Sequence, residues 1–247
     1  MTTDPSLLIE VFDLVGIFVF GLSGGLVAVN RGVDIFGVLV LAATTGLGGG
    51  VMRDLLIGAT PPAALEDWRF IATVGAAGLL VFFFHPAVSR AESSIDVIDA
   101  LGLSLFAVAG SLKAEDFGLS PVSAVLMGML TGIGGGVLRD LLSDRLPEIF
   151  SGTLYATPAV AGSAVTIGLL HLDWPVHVPQ TWAALAGGTL CAGWRLLALR
   201  RDWHAPIPRP VSDAWDKADP TVRRPGRGRG WRGRVVGRGG RAVRRSR

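Results

Sequence analysis

The sequence predicts an all-α membrane protein with seven transmembrane helices: two inverted three-helix repeats followed by a seventh helix. Three observations carry this reading. Half of the 247 residues are apolar and only 17% are charged, with a mean hydropathy of +0.49, whereas soluble domains carry about 25% charged residues. Apolar runs long enough to cross a bilayer, about 20 residues each, recur along the chain. The first three runs are followed, 86 positions later and without gaps, by three more of the same kind.

The spans are expected at 11–29, 34–56, 68–85, 97–112, 120–142, 154–171 and 181–199. The fourth is short, and a glycine triplet interrupts the second and the fifth. Residues 1–10 contain no Lys or Arg and carry Asp4 and Glu10. A secretory signal needs a basic start and a small-residue cleavage site, so the first run reads as a retained span.

Charge assigns the sides. The formal charge of +3 hides an acidic body and a basic tail. Residues 1–194 hold 7 Lys+Arg against 16 Asp+Glu, and residues 195–247 hold 16 against 4. Basic residues collect on the cytoplasmic side of membrane proteins. With the N-terminus outside, Arg31, Arg90, Arg139, Arg145 and the tail fall inside, leaving Arg53, Arg69 and Lys113 outside. This describes a multi-pass protein of the plasma membrane with a cytoplasmic C-terminus. The high Arg to Lys ratio, 21 against 2, points the same way through a GC-rich prokaryotic source.

Comparing 11–61 with 97–147 gives 19 identities in 51 positions. They include Asp13/Asp99, Gly16/Gly102, Phe20/Phe106, Gly24/Gly110, Gly32/Gly118 and Thr45/Thr131. The densest block is Gly-x-Gly-Gly-Gly-Val-x-Arg-Asp-Leu-Leu, ending at Leu56 and again at Leu142. The third spans align too, with His85 opposite His171. The organisation is therefore an extracytoplasmic 1–10, a first repeat over 11–86, a second over 97–172, a seventh helix over 180–200 and a tail over 202–247. Each repeat has three spans, an odd number, so the second copy is inverted, as in many transport proteins.

Glycine costs a helix about 1 kcal/mol relative to alanine. Gly48, Gly49 and Gly50, and their mates Gly134, Gly135 and Gly136, are expected to break their helices at membrane depth. Such breaks are tolerated where they line a cavity, and the freed carbonyls can coordinate ions or small solutes. Thr44, Thr45 and Thr131 stand beside the breaks and add hydroxyls. Close helix packing is the simpler reading for isolated glycine pairs such as Gly24-Gly25. A dinucleotide-binding loop is rejected, because no strand precedes the glycines and Val51 and Val137 replace the last glycine of that fingerprint.

Arg53-Asp54 and Arg139-Asp140 follow the triplets by one turn. Ionisable residues inside a span face the protein interior and find partners. Arg53 is expected to pair with Asp140 and Arg139 with Asp54, or each pair to close within its own half, where they gate a path or shape its field. Snorkelling at the span ends is the competing reading. Asp13 and Asp99 read as first-turn carboxylates that suit the helix dipole, and His85 and His171 as interfacial residues. Lys113, whose repeat mate is Val27, is a candidate blocking or voltage-responsive charge.

No Cys-x-x-Cys, His-Glu-x-x-His or Gly-x-Ser-x-Gly occurs, and Cys191 is the single cysteine. The chain therefore reads as non-enzymatic, with no catalytic residues, no cofactor and no metal site. Between residues 223 and 247 there are eleven arginines and seven glycines. This stretch reads as disordered and attracted to anionic lipid headgroups. Gly-Arg stretches around Trp231 also suit sequence-tolerant nucleic-acid tails, but a solvated positive-inside anchor is preferred and no nucleic-acid partner is assigned.

The doubled Gly-x-Gly-Gly-Gly-x-x-Arg-Asp-Leu-Leu, each copy on the second span of a three-span repeat with a seventh span behind, closely resembles the prokaryotic branch of the trimeric intracellular cation (TRIC) channels. The resemblance covers about residues 8–200. It implies a homotrimer in which each protomer carries its own pore for monovalent cations, K⁺ and also Na⁺, between kinked second and fifth spans. The family positions fall on Gly48–Gly50, Arg53 and Asp54, and on Gly134–Gly136, Arg139 and Asp140. The same group has been described as a glycine-transporter domain. The alternative is therefore a secondary transporter of glycine or another small zwitterion, and a non-transporting scaffold is a third class.

Overall fold

The computed structural model describes residues 5–88, 93–151, 153–172 and 178–205, with side chains at all of these except 5, 6, 85–88, 93 and 94. The expected tail lies outside the described residues from 206 onward, as do Arg90, residues 1–4 and the His85 side chain. The described residues are all-helical: α1 (Pro5–Asn30), α2 (Ile35–Ile57), α3 (Ala63–Glu66), α4 (Trp68–Val88), α5 (Ser93–Asp116), α6 (Pro121–Leu142), a 3₁₀ turn (Glu148–Phe150), α7 (Ala156–Leu170) and α8 (Gln180–Arg200). Five of them, α1, α2, α5, α6 and α8, are long and apolar enough to cross a membrane. Two further apolar helices, Trp68–Phe84 and Ala156–Leu170, are shorter.

Two sequence expectations are corrected. The first helix begins at Pro5 rather than at 11, because Leu7, Leu8 and Ile9 extend its apolar face. The fourth span is not short: α5 has 24 residues. The charges Asp96 and Lys113 bounded the expected span and hid its length, and Lys113 finds its partner inside the protein.

Matched positions do matched work in the two halves. Asp34 accepts the Gly37 N–H at the start of α2, and Ser120, its mate, accepts the Ser123 N–H at the start of α6. Both are good N-caps because their oxygens satisfy amides that the helix leaves free. The chain leaves α1 and α5 through Gly32 and Gly118, at φ of 70° and 79°, a left-handed turn that glycine adopts without strain.

The core sits where the halves meet. Phe20 of α1 and Phe106 of α5 pack with ring centroids 5.3 Å apart, and both are fully buried. Each ring lies on the other helix's glycine. A Cβ on Gly16 would come within 2.9 Å of Phe106, and one on Gly102 within 2.7 Å of Phe20. Thr45 and Thr131 fill the same role against Gly24 and Gly110. The α8 helix lies outside this symmetric frame and packs on α5 and α7.

Candidate functional site

The triplets do not break their helices. Both α2 and α6 are helical through Gly48–Gly50 and Gly134–Gly136. The glycines serve instead as the crossing point of the two helices. A Cβ on Gly49 would strike the Thr131 carbonyl oxygen, and one on Gly135 the Thr45 carbonyl oxygen. Gly48 faces Leu138, and Gly134 faces Gly49 and Met52. Backbone touches backbone, as small residues permit in membrane helices, and those contacts offset the poor helix propensity of glycine. The threonine hydroxyls are likewise turned inward. Thr44, Thr45 and Thr131 donate to carbonyls one turn back, Val40, Leu41 and Met127, at 2.8, 2.6 and 2.7 Å.

The charges one turn beyond form two clusters. Arg53 is 1% exposed and donates from Nη1 and Nη2 to both oxygens of Asp13 at 2.8 Å, and from Nε to Asp54 at 2.9 Å. Arg139 is 3% exposed, donates from Nε to Asp140 at 2.9 Å and from Nη1 to Ser23 at 2.6 Å, and pairs with Asp99. Of the two pairings open to the sequence, the structure takes the one within each half. Asp13 and Asp99 are corrected from helix-dipole partners to ion-pair anchors. Because α1 begins at Pro5, Asp13 lies beyond its first turn, and Asp99 likewise lies inside α5. Snorkelling is excluded by burial.

Each guanidinium thus faces two carboxylates, and each cluster holds an excess of negative charge. The second oxygen of Asp54 accepts the Ala63 N–H at 3.0 Å, starting α3, and that of Asp140 accepts the Glu148 N–H at 3.2 Å, starting the 3₁₀ turn. Lys113 breaks the symmetry. Its Nζ sits 2.8 Å from Asp54 Oδ1 and balances the first cluster, whereas Val27, its mate, leaves the second unbalanced.

A cavity of about 310 Å³ opens at the Asp13 end among α1, α3, α4 and α5. Its walls carry Glu10, Asp13, Glu66, Asp67 and Asp116 against Arg69 and Lys113. Asp13, Ala63 and Phe70 also line a neighbouring space of about 10 Å³ beside Gly46 and Gly50, room for about one water. Gly50 therefore looks into a cavity, with only Arg53 Nη2 near a Cβ placed there, at 3.9 Å. Gly136, its mate, looks onto the Tyr155 hydroxyl.

The structure gathers every sequence-predicted residue except Thr44, which is only partly buried. Three residues beside the second cluster escaped the sequence reading. They are Tyr155, Glu148 and Arg195, of which Arg195 is fully buried and 2.6 Å from Glu148. Arg195 had a legible signal, since a charge inside a span calls for a partner. Tyr155 and Glu148 had none.

Paired helices with buried charge clusters at each end, and a cavity leading inward from one of them, define a multi-pass membrane protein of channel or transporter type. The family profile described as "Glycine transporter" matches residues 10–86 and again 96–171. A UPF0126 membrane protein of Deinococcus radiodurans is 42% identical over 193 residues, covering 77% of this chain and 87% of the relative. The UPF0126 inner membrane protein YadS of Escherichia coli K12 is 33% identical over 205 residues, 82% of this chain and 96% of the relative. The TRIC trimeric intracellular cation channel orthologue from Rhodobacter sphaeroides superposes with a TM-score of 0.74 at 34% identity, over 79% of this chain and 98% of that one. A prokaryotic TRIC channel solved in 0.5 M KCl gives 0.71 at 31% identity, over 80% and 98%. The chain belongs to this family, the prokaryotic TRIC branch.

Proposed function

We propose that the protein is a channel for monovalent cations, K⁺ and also Na⁺, with a path inside each protomer of a homotrimer. The path runs from the Asp13 cavity along the Gly46 and Gly50 face of α2, past the α2–α6 crossing, to the Asp99 end. The observation that carries this reading is the pairing of each buried arginine with two carboxylates. It removes the objection that arginines beside a cation path would repel its ions. The acidic cavity walls add to this by concentrating cations at the mouth. Family membership and the cation-channel neighbours support the same assignment. With the N-terminus outside, the cavity opens to the exterior and the second cluster lies on the cytoplasmic side.

The structure then corresponds to a closed form. The space beside Gly50 admits about one water, and opening must separate contacts at the crossing, where carbonyls and hydroxyls now turned into their helices would meet the ion. The test is current from purified protein in a planar bilayer under a KCl gradient. Discrete steps reversing near the K⁺ potential are expected. The family's other description favours a glycine carrier. Saturable uptake of labelled glycine by protein that passes no current would replace the channel with that carrier.

Lys113 gives a graded check. It lines the cavity and balances Asp54, so Lys113→Gln should raise unitary K⁺ conductance about threefold, by removing a positive charge within a few ångströms of the path. An unchanged conductance would place the path elsewhere.

A further inference from the structure

The two ends of the proposed path are related by the repeat yet filled differently. At the first end, position 69 holds Arg69. Its side chain is half exposed on the wall of the larger cavity, paired with Glu10 and Asp67 at 2.6 and 2.5 Å, and the space for about one water beside Gly50 is left unfilled. At the second end the same position holds Tyr155. Its side chain is turned inward and is only 2% exposed. The hydroxyl lies 2.5 Å from where a Cβ on Gly136 would be, and that same Cβ would stand 3.8 Å from Asp99 Oδ1. The tyrosine therefore occupies the place that is cavity in the other half.

What holds it there comes from outside the repeat. Arg195 of α8 lies with its guanidinium carbon 4.9 Å from the centre of the Tyr155 ring. It donates to the Leu154 carbonyl at 3.1 Å and to Glu148 at 2.6 Å. Leu154 and Glu148 belong to the segment that carries Tyr155 from α6 to α7. The chain leaving α8 adds a further tie, an antiparallel bridge between His204 and Thr153. A cation over an aromatic face, desolvated on all sides, is a strong fixing contact. Arg195 and the chain leaving α8 thus hold the segment that leads into Tyr155, and Arg195 also covers the ring.

We propose that Tyr155 is the gate side chain of the second-half end of the path, and that α8 holds it shut through Arg195. This rests on the ion-path reading above. It assigns the seventh helix, which the repeat leaves without a role, to the control of opening. Tyr155 works by its bulk, and Arg195 is a positioning residue.

The test separates the gate from the current. Val137 is the mate of Val51, which lines the space beside Gly50. Val137→Cys, in a Cys191→Ala background, reports access to the second-half end through its rate of reaction with a small charged thiol reagent. Adding Tyr155→Ala should raise that rate at least tenfold, and Arg195→Gln at least threefold with the tyrosine intact. Tyr155→Phe should leave it slow. Val51→Cys, in the other half, should react at an unchanged rate, which a general loosening of the protein would not allow. If Tyr155→Ala elutes unfolded, Tyr155→Leu takes its place, with an intermediate acceleration expected. In bilayers the same variants should raise open probability without moving the reversal potential.

Folded variants that label no faster than the parent would overturn the gate while leaving the channel standing. Faster labelling with no current from any variant would keep the gate and overturn the channel.

Discussion

Gly135→Ala should lower the thermal midpoint of the purified protein by several degrees, and Gly135→Val should abolish recovery of folded material. The reason is a contact between backbones. A Cβ at Gly135 meets the carbonyl oxygen of Thr45, and one at Gly49 meets that of Thr131. No rotamer change relieves a clash with main chain, so α2 and α6 must move apart. Overpacking of this kind costs roughly 1–3 kcal/mol for one methyl group and more for a branched side chain. The other triplet supplies the control. Gly50 has only Arg53 Nη2 nearby, at 3.9 Å, so Gly50→Ala should leave the midpoint unchanged or raise it, by up to about 1 kcal/mol of regained helix propensity. Thermal unfolding in detergent, followed by size-exclusion of the soluble fraction, measures all three. Equal midpoints for Gly135→Ala and Gly50→Ala would mean that the crossing is not where stability is set.

The second large effect lies in the arginine clusters. Arg53→Met should cost roughly 3–5 kcal/mol, because removing one partner leaves buried charges uncompensated. Two carboxylates, Asp13 and Asp54, lose their shared cation, and the 16%-exposed side chain of Lys113 reaches only the second of them. Arg53→Lys should rescue little, since one ammonium cannot reproduce the fork that spans both Asp13 oxygens while Nε holds Asp54. Asp13→Asn combined with Arg53→Gln should be less damaging than the sum of the two single changes. A double-mutant cycle on the thermal midpoint reads this coupling. Strict additivity would show that Arg53 and Asp13 do not act as a unit.

Much of this was legible in the residues. An ungapped offset of 86 aligned Asp34 with Ser120 and Gly32 with Gly118, and these pairs form the same caps and turns. The Arg-Asp pairs marked the charge clusters, since a buried charge leaves a clear trace in an apolar run. Two things were not legible. Glycine in a membrane helix has opposite uses, breaking the helix or letting another helix touch it, and composition alone does not separate them. The crossing decides between them, and it is visible only when α2 meets α6. The partners of Arg53 and Arg139 were hidden for a related reason. Asp13 and Asp99 lie 40 residues earlier on a different helix, and only the starts of α1 at Pro5 and of α5 at Ser93 remove them from a first turn. Tyr155 carried no pattern at all, because its meaning lies in a difference from its mate Arg69.

The proposed cation path lies within each protomer, along the Gly50 face of α2. Val51 lines the small space beside Gly50. In a Cys191→Ala background, Val51→Cys channels recorded in a planar bilayer under a KCl gradient should lose current to a positively charged thiol reagent in three equal steps, one for each protomer of a trimer. Block in a single step, or current untouched after complete labelling, would contradict the account and move the path out of the protomer.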